Sequence, residues 1–182
     1  DHLAVTPPLM SPGFYALATS KEVQIYDSSH QHITSLSHPA TVGGLAFDDK
    51  GSRLAVAHYG GATVWRRDGR RWTSSRLVWS GSHTGITFSP DGKKIAFVSN
   101  KDGTPRIYVM NIPPEGTKLK DISPVLINKY RRGCTAPAWS PDGRKIAYCA
   151  TIDGVRQIFV YDLNLKKEVQ LTRGPLDKEN PS

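Results

Sequence analysis

A four-residue corner that occurs twice, with the same surroundings, constrains this chain more than any other feature. Ser-Pro-Asp-Gly stands at 89–92 and again at 140–143, in "TFSPDGKKIAFVSNKDGTPRIYVMNI" and "AWSPDGRKIAYCATIDGVRQIFVYDL". Proline presets φ early in a turn and glycine tolerates positive φ at its end. Each corner therefore reverses the chain into the apolar strand that follows it. In the second copy Asp153-Gly154 supplies a hairpin turn, "RQIFVYDL" returns as the next strand, and "KKEVQLT" makes another. With "PAWS" ahead of the corner, one unit is four short strands, and turns this short join antiparallel neighbours.

The same unit can be followed upstream. "GITFS", "KKIAFVSN", "RIYVMNI" and a longer outer strand near "KDISPVLIN" form one copy. "GLAFDDKGSRLAVAHYGGATVWRRDGRRWTSSRLVWS" forms another, with Asp-Asp-Lys-Gly in place of Ser-Pro-Asp-Gly. "HLAVTPP", "GFYALATS", "EVQIYDS" and "HITSLSHP" give a weaker first copy. Anchored on the second strand, Ala16, Ala55, Ala96 and Ala147 align at spacings of 39, 41 and 51 residues. Four strands per period of about 40 to 50 residues is the signature of a β-propeller blade. A sandwich shares the two-residue alternation, but repeat length and turn placement favour the propeller. No segment sustains a helical period. The expected fold is all-β, four four-stranded antiparallel blades.

The two Ser-Pro-Asp-Gly copies resemble the PD40, or TolB-type, propeller repeats, and the likeness runs from about residue 86 to 182. Residues 1–85, as in "LAFDDKGSRLAVAHYGGATVW", instead resemble bacterial WD40-type blades. The first resemblance implies periplasmic ancestry and protein binding at one mouth of a complete ring, to the lipoprotein Pal. The second implies the bacterial cytoplasm. Composition shifts at the same place. All six histidines precede residue 84, and of twelve lysines only Lys21 and Lys50 precede residue 85. The chain begins at Asp1 rather than Met, which suits a processed or cut protein. The expectation is thus a chimeric or designed half-propeller that self-assembles and has no evolved activity. The alternative is a natural protein-binding propeller of the bacterial envelope.

Blades bury both faces, so an open arc of four leaves an apolar face at each end, at roughly 25 cal/mol per Å² of unmet burial. Two remedies exist. The four blades can close on themselves, with wide wedge angles and a narrow channel. The favoured remedy is a homodimer, blade one of each chain against blade four of the other, in an eight-bladed ring.

Reactive chemistry is sparse. No GxSxG elbow, HExxH pair, P-loop or GxGxxG occurs, so no enzyme and no cofactor are expected. "HYGG" at 58–61 fits a hairpin better than an oxyanion loop. His30 and His32 could share a strand face and hold a metal with a third ligand, but an exposed edge pair is the simpler reading. Cys134 and Cys149 show no metal spacing, and a bond between them stays open. The net charge of +8 is spread along the chain, densest at "WRRDGRRW" and "NKYRRG", so no nucleic-acid partner is expected. No apolar run is long enough for membrane insertion. The candidate protein-contact loops are Asn100-Lys101-Asp102 and Lys129-Tyr130-Arg131-Arg132.

Overall fold

Sixteen strands make up the regular structure of the described residues in the computed structural model, which cover 9–11, 13–114, 123–128, 133–179 and 181. The chain divides into two compact units, residues 1–84 and 85–182.

In the first unit, β1 (Leu9–Ser11), β2 (Phe14–Thr19), β3 (Glu22–Asp27) and β4 (His32–Ser37) form one sheet. A second contains β5 (Val42–Phe47), β6 (Arg53–His58), β7 (Gly61–Asp68) and β8 (Arg71–Val78). A third sheet starts with β9 (His83–Phe88), across the division, and continues in the second unit with β10 (Lys94–Ser99), β11 (Arg106–Asn111) and β12 (Val125–Leu126). The last holds β13 (Thr135–Trp139), β14 (Lys145–Ile152), β15 (Val155–Asp162) and β16 (Lys167–Gln170). Every sheet runs in chain order, as an antiparallel meander joined by short turns must.

The aligned alanines occupy one structural position. Ala16, Ala55, Ala96 and Ala147 are each the third residue of their sheet's second strand. Opposite them on the third strand stand Ile25, Val64, Val109 and Val160. A small residue facing a β-branched one keeps this part of each sheet thin while suiting the pleat.

The corners owe their shape to hydrogen bonds. Ser89 Oγ donates to Asp91 Oδ1 at 2.6 Å and accepts from the Lys94 amide at 2.9 Å, while Asp91 Oδ1 also takes the Lys93 amide at 3.0 Å. Ser140 and Asp142 reproduce these bonds at 2.6, 2.9 and 3.0 Å. Gly92 and Gly143 close the turns at φ +64° and +68°. In the second sheet Asp48 does the work of both residues. Its Oδ1 accepts from the amides of Ser52 and Arg53 at 2.8 and 2.9 Å, and its Oδ2 pairs with Arg53 Nε at 2.9 Å.

Each unit has its own apolar core. In the first, Ala16, Val23, Ile25, Leu36, Leu54 and Val56 pack between its two sheets. In the second, Val98, Ile107, Ile146, Tyr148 and Phe159 do the same.

The expected first strand "HLAVTPP" lies outside the described residues, among which β1 is Leu9–Ser11. One expectation about strands needs correction. The outer strand of the third sheet is two residues, Val125–Leu126. Pro124 directly precedes it and has no N–H to extend the ladder.

Candidate functional site

The loop between β10 and β11 carries Asn100, Lys101 and Asp102, all exposed. The Gly103 amide donates to the Asn100 carbonyl at 2.8 Å, with Gly103 at φ +89°, so this is a closed turn. The Lys101 amide donates to Ser99 Oγ at 3.2 Å and its ammonium stands 3.6 Å from Asp102 Oδ1. Asp102 Oδ2 accepts from the Tyr108 hydroxyl on β11 at 2.5 Å. That hydroxyl bond, helped by Lys101, holds the Asp102 carboxyl below its usual range. Burial, then Asp102, pushes Tyr108 up to about 12. The loop thus presents an anchored carboxylate beside an ammonium. Lys129, Tyr130, Arg131 and Arg132 lie outside the described residues.

The described histidines all have packing or hydrogen-bond partners. His38 and His58 are buried with ring centroids 6.0 Å apart, and Trp65 Nε1 donates to His38 Nε2 at 2.9 Å. His58 Nε2 meets Thr63 Oγ1 at 2.9 Å, and His83 Nε2 meets the Trp79 carbonyl at 2.9 Å. Burial lowers all three, His38 to about 4. His30 sits in a turn at φ +63° against Tyr15, and His32 opens β4 with its ring edge on Tyr26. The pair therefore does not share a strand face. No group of three metal-ligating residues occurs among the described residues. "HYGG" is the β6–β7 hairpin, with His58 opposite Gly61. Cys134 and Cys149 are buried free thiols. Asn128 Nδ2 donates to Cys134 Sγ at 2.7 Å.

Four-stranded meanders repeated around aligned alanines define the class: this is β-propeller structure. No protein-family model matches the chain. Over 74 residues, 41% of the chain, it is 60% identical to a TolB homolog of Protochlamydia amoebophila, of which the match covers 16%. Over 70 residues, 37% of the chain, it is 43% identical to the Tol-Pal system protein TolB of Alcanivorax borkumensis, covering 14% of it. The chain thus spans well under a fifth of these curated relatives.

Among solved structures, TolB from Acinetobacter baumannii superposes on 96% of the chain with TM-score 0.67 and 21% identity, over 45% of its own length. Kuenenia stuttgartiensis hydrazine synthase covers 90% with TM-score 0.72 and 16% identity, over 48% of its length. The Cps50 (Swd1) β-propeller domain of Myceliophteria thermophila covers 96% with TM-score 0.71 and 13% identity, over 57% of its length. These three likenesses are of fold.

The expectation of a chimeric or designed scaffold without evolved activity is overturned by this. Identity of 60% over 74 residues ties the chain to a natural protein. The histidine skew that suggested a fusion has a local cause. Five of the six serve packing or turns in the first unit, and His2 lies outside the described residues.

Proposed function

We propose that this chain is part of a TolB-like, protein-binding β-propeller of the bacterial envelope, a non-catalytic adaptor working in the periplasm. The observation that carries it is the 60% identity with a TolB homolog. A relative named as a Tol-Pal system protein supports the same system. Cytoplasmic ancestry for the first half finds no support in these similarities. In this reading residues 86–182 contribute TolB-type blades and residues 1–85 two WD40-type blades to one propeller. The loop of Asn100, Lys101 and Asp102, with Tyr130, Arg131 and Arg132, contributes to the contact surface.

The experiment is a pull-down of purified Pal by the immobilised chain. Retention that falls several-fold in Lys101→Glu supports the reading, and a folded chain that retains no Pal refutes it.

Ring completion by a second copy is the finer part of the proposal. Val169 on β16 and Leu171 after it are 58% and 59% exposed, and apolar surface of this kind marks a contact. Blade one of a second chain against blade four would cover it. Light scattering that reads the mass of a single chain at micromolar concentration removes this part.

A further inference from the structure

The hairpin joining β7 and β8 carries Arg66, Arg67, Arg70 and Arg71 against one carboxylate, Asp68. None of the four arginines has a carboxylate at ion-pair distance among the described residues. The register sorts them. Arg67 stands opposite Trp72, and Asp68 opposite Arg71, so alternation along the strand points Arg67 and Trp72 to one face and Arg66 to the other.

On the first face the Arg67 guanidinium lies over the ring of Phe14, 4.0 Å from its centroid, and its Nε donates to the Gly69 carbonyl at 2.9 Å. Stacking and that bond fix the fork and leave its Nη groups directed at no partner among the described residues. Beside it is a cavity of about 540 Å³ whose walls include Phe14, His32, Ile33, Arg67, Arg70 and Trp72. That volume falls within the roughly 300–1,000 Å³ of ligand sites. Asp27 also lines it, its Oδ1 held by the amides of Ser29 and Gln31 at 2.8 and 2.9 Å, and its negative charge directs a partner's carboxylates toward Arg67 and Arg70.

We propose that this cavity is a second protein-contact site, one that takes an acidic, extended segment of a partner protein. Carboxylates of the segment pair with Arg67 and Arg70, and an intervening apolar side chain rests on Trp72 and Ile33. A planar guanidinium already held by stacking is suited to two parallel bonds with a carboxylate and loses little freedom in making them. Trp72 and Ile33 give the same cavity an apolar wall, which a bare anion would leave unused. Nucleic acid fits less well, because the arginines are divided between two faces and form no continuous track for a phosphate backbone.

The site goes beyond the adaptor reading. That reading rests on TolB similarity and the loop at 100–102, whereas this one rests on the first unit, so either can fail alone.

The test is fluorescence anisotropy with the full 182-residue chain and a fluorescein-labelled peptide of alternating glutamate and leucine. Its glutamine counterpart and a single-stranded oligothymidylate serve as competing probes. The glutamate peptide is expected to bind, to weaken in about 0.5 M salt, and to lose roughly tenfold in affinity with Arg70→Glu. Arg70 is exposed, so that variant keeps the fold; Arg67→Gln is expected to weaken binding in the same direction. Equal binding of both peptides, tighter binding of the oligonucleotide, or an unchanged affinity in Arg70→Glu overturns the proposal.

Discussion

Gly61 opens β7 at φ +143°, and a Cβ built there would lie 1.9 Å from the Leu77 carbonyl oxygen and 3.2 Å from the Trp79 amide nitrogen. Both neighbours are backbone, so no side chain can swing aside. Gly60, one residue earlier at φ +81°, has open space where its Cβ would be. Gly60→Ala therefore bears only the strain of a left-handed conformation, about 1 kcal/mol. Gly61→Ala adds a collision with the β8 backbone and is expected to cost about 3 kcal/mol. Urea unfolding of the two variants measures the difference. Equal losses would show that the hairpin relaxes around the methyl group and that the close approach carries no weight. The flanking His58 belongs to the same construction, since its ring is held between the Tyr59 carbonyl at 3.0 Å and Thr63 Oγ1 at 2.9 Å.

Among elements, the corners show how different residues reach one geometry. At Ser140 and Asp142 the labour is divided, the hydroxyl taking the Lys145 amide and the carboxylate the Arg144 amide. At Asp48 one buried carboxylate takes two amides, the Ser52 hydroxyl and the Arg53 guanidinium. Burial works against the charge of Asp48, but the bonds from Arg53 and Ser52 outweigh it and hold its carboxyl below the usual range. Asp48→Ala is expected to cost about 3 kcal/mol, because it removes the acceptor of two amides, the Ser52 hydroxyl and one Arg53 bond together, and Ser140→Ala about 1 kcal/mol. Denaturant midpoints check this, and equal losses would mean the carboxylate is not the keystone of its turn. These corners, the hairpin at Asp153-Gly154 and the aligned alanines were legible in the sequence because turn chemistry and two-residue alternation are local. The shortness of β12 was not, since one proline outweighed an apolar run. Nor was Asp102 bonding to Tyr108, or Phe14 lying under Arg67, because contacts between strands and between sheets leave no local pattern. The sequence marked the arginines of 66–71 as a basic spot but could not show that a cavity stands beside two of them.

Across the whole molecule, acid should act on the two units unequally. All the histidines fall within residues 1–84, and His38, His58 and His83 are buried there. Burial, and for His38 also the neighbouring His58, favours their neutral forms, so the folded unit binds protons less readily than the unfolded chain. Arg76 adds to the effect at His58. The sign follows directly: stability is complete above the unfolded value of about 6.5 and is lost as pH falls toward the folded values, about 4 for His38. For His38 alone the lowering corresponds to roughly 3 kcal/mol. The second unit has no histidine. Its shifted carboxylates Asp91, Asp102 and Asp142 are all lowered, and they lose stability below the ordinary carboxylate range of about 4. Trp65, Trp72 and Trp79 report on the first unit and Trp139 on the second. The urea midpoint followed by tryptophan fluorescence is therefore expected to drop between pH 6.5 and 4.5, ahead of any loss in the second unit. His38→Gln keeps an oxygen to accept from Trp65 Nε1 and removes one titrating ring, so its midpoint should fall less steeply over the same interval. A midpoint that stays flat from pH 6.5 to 4.5 would mean the buried rings take up protons without opening the unit, and the asymmetry between the two units would go with it.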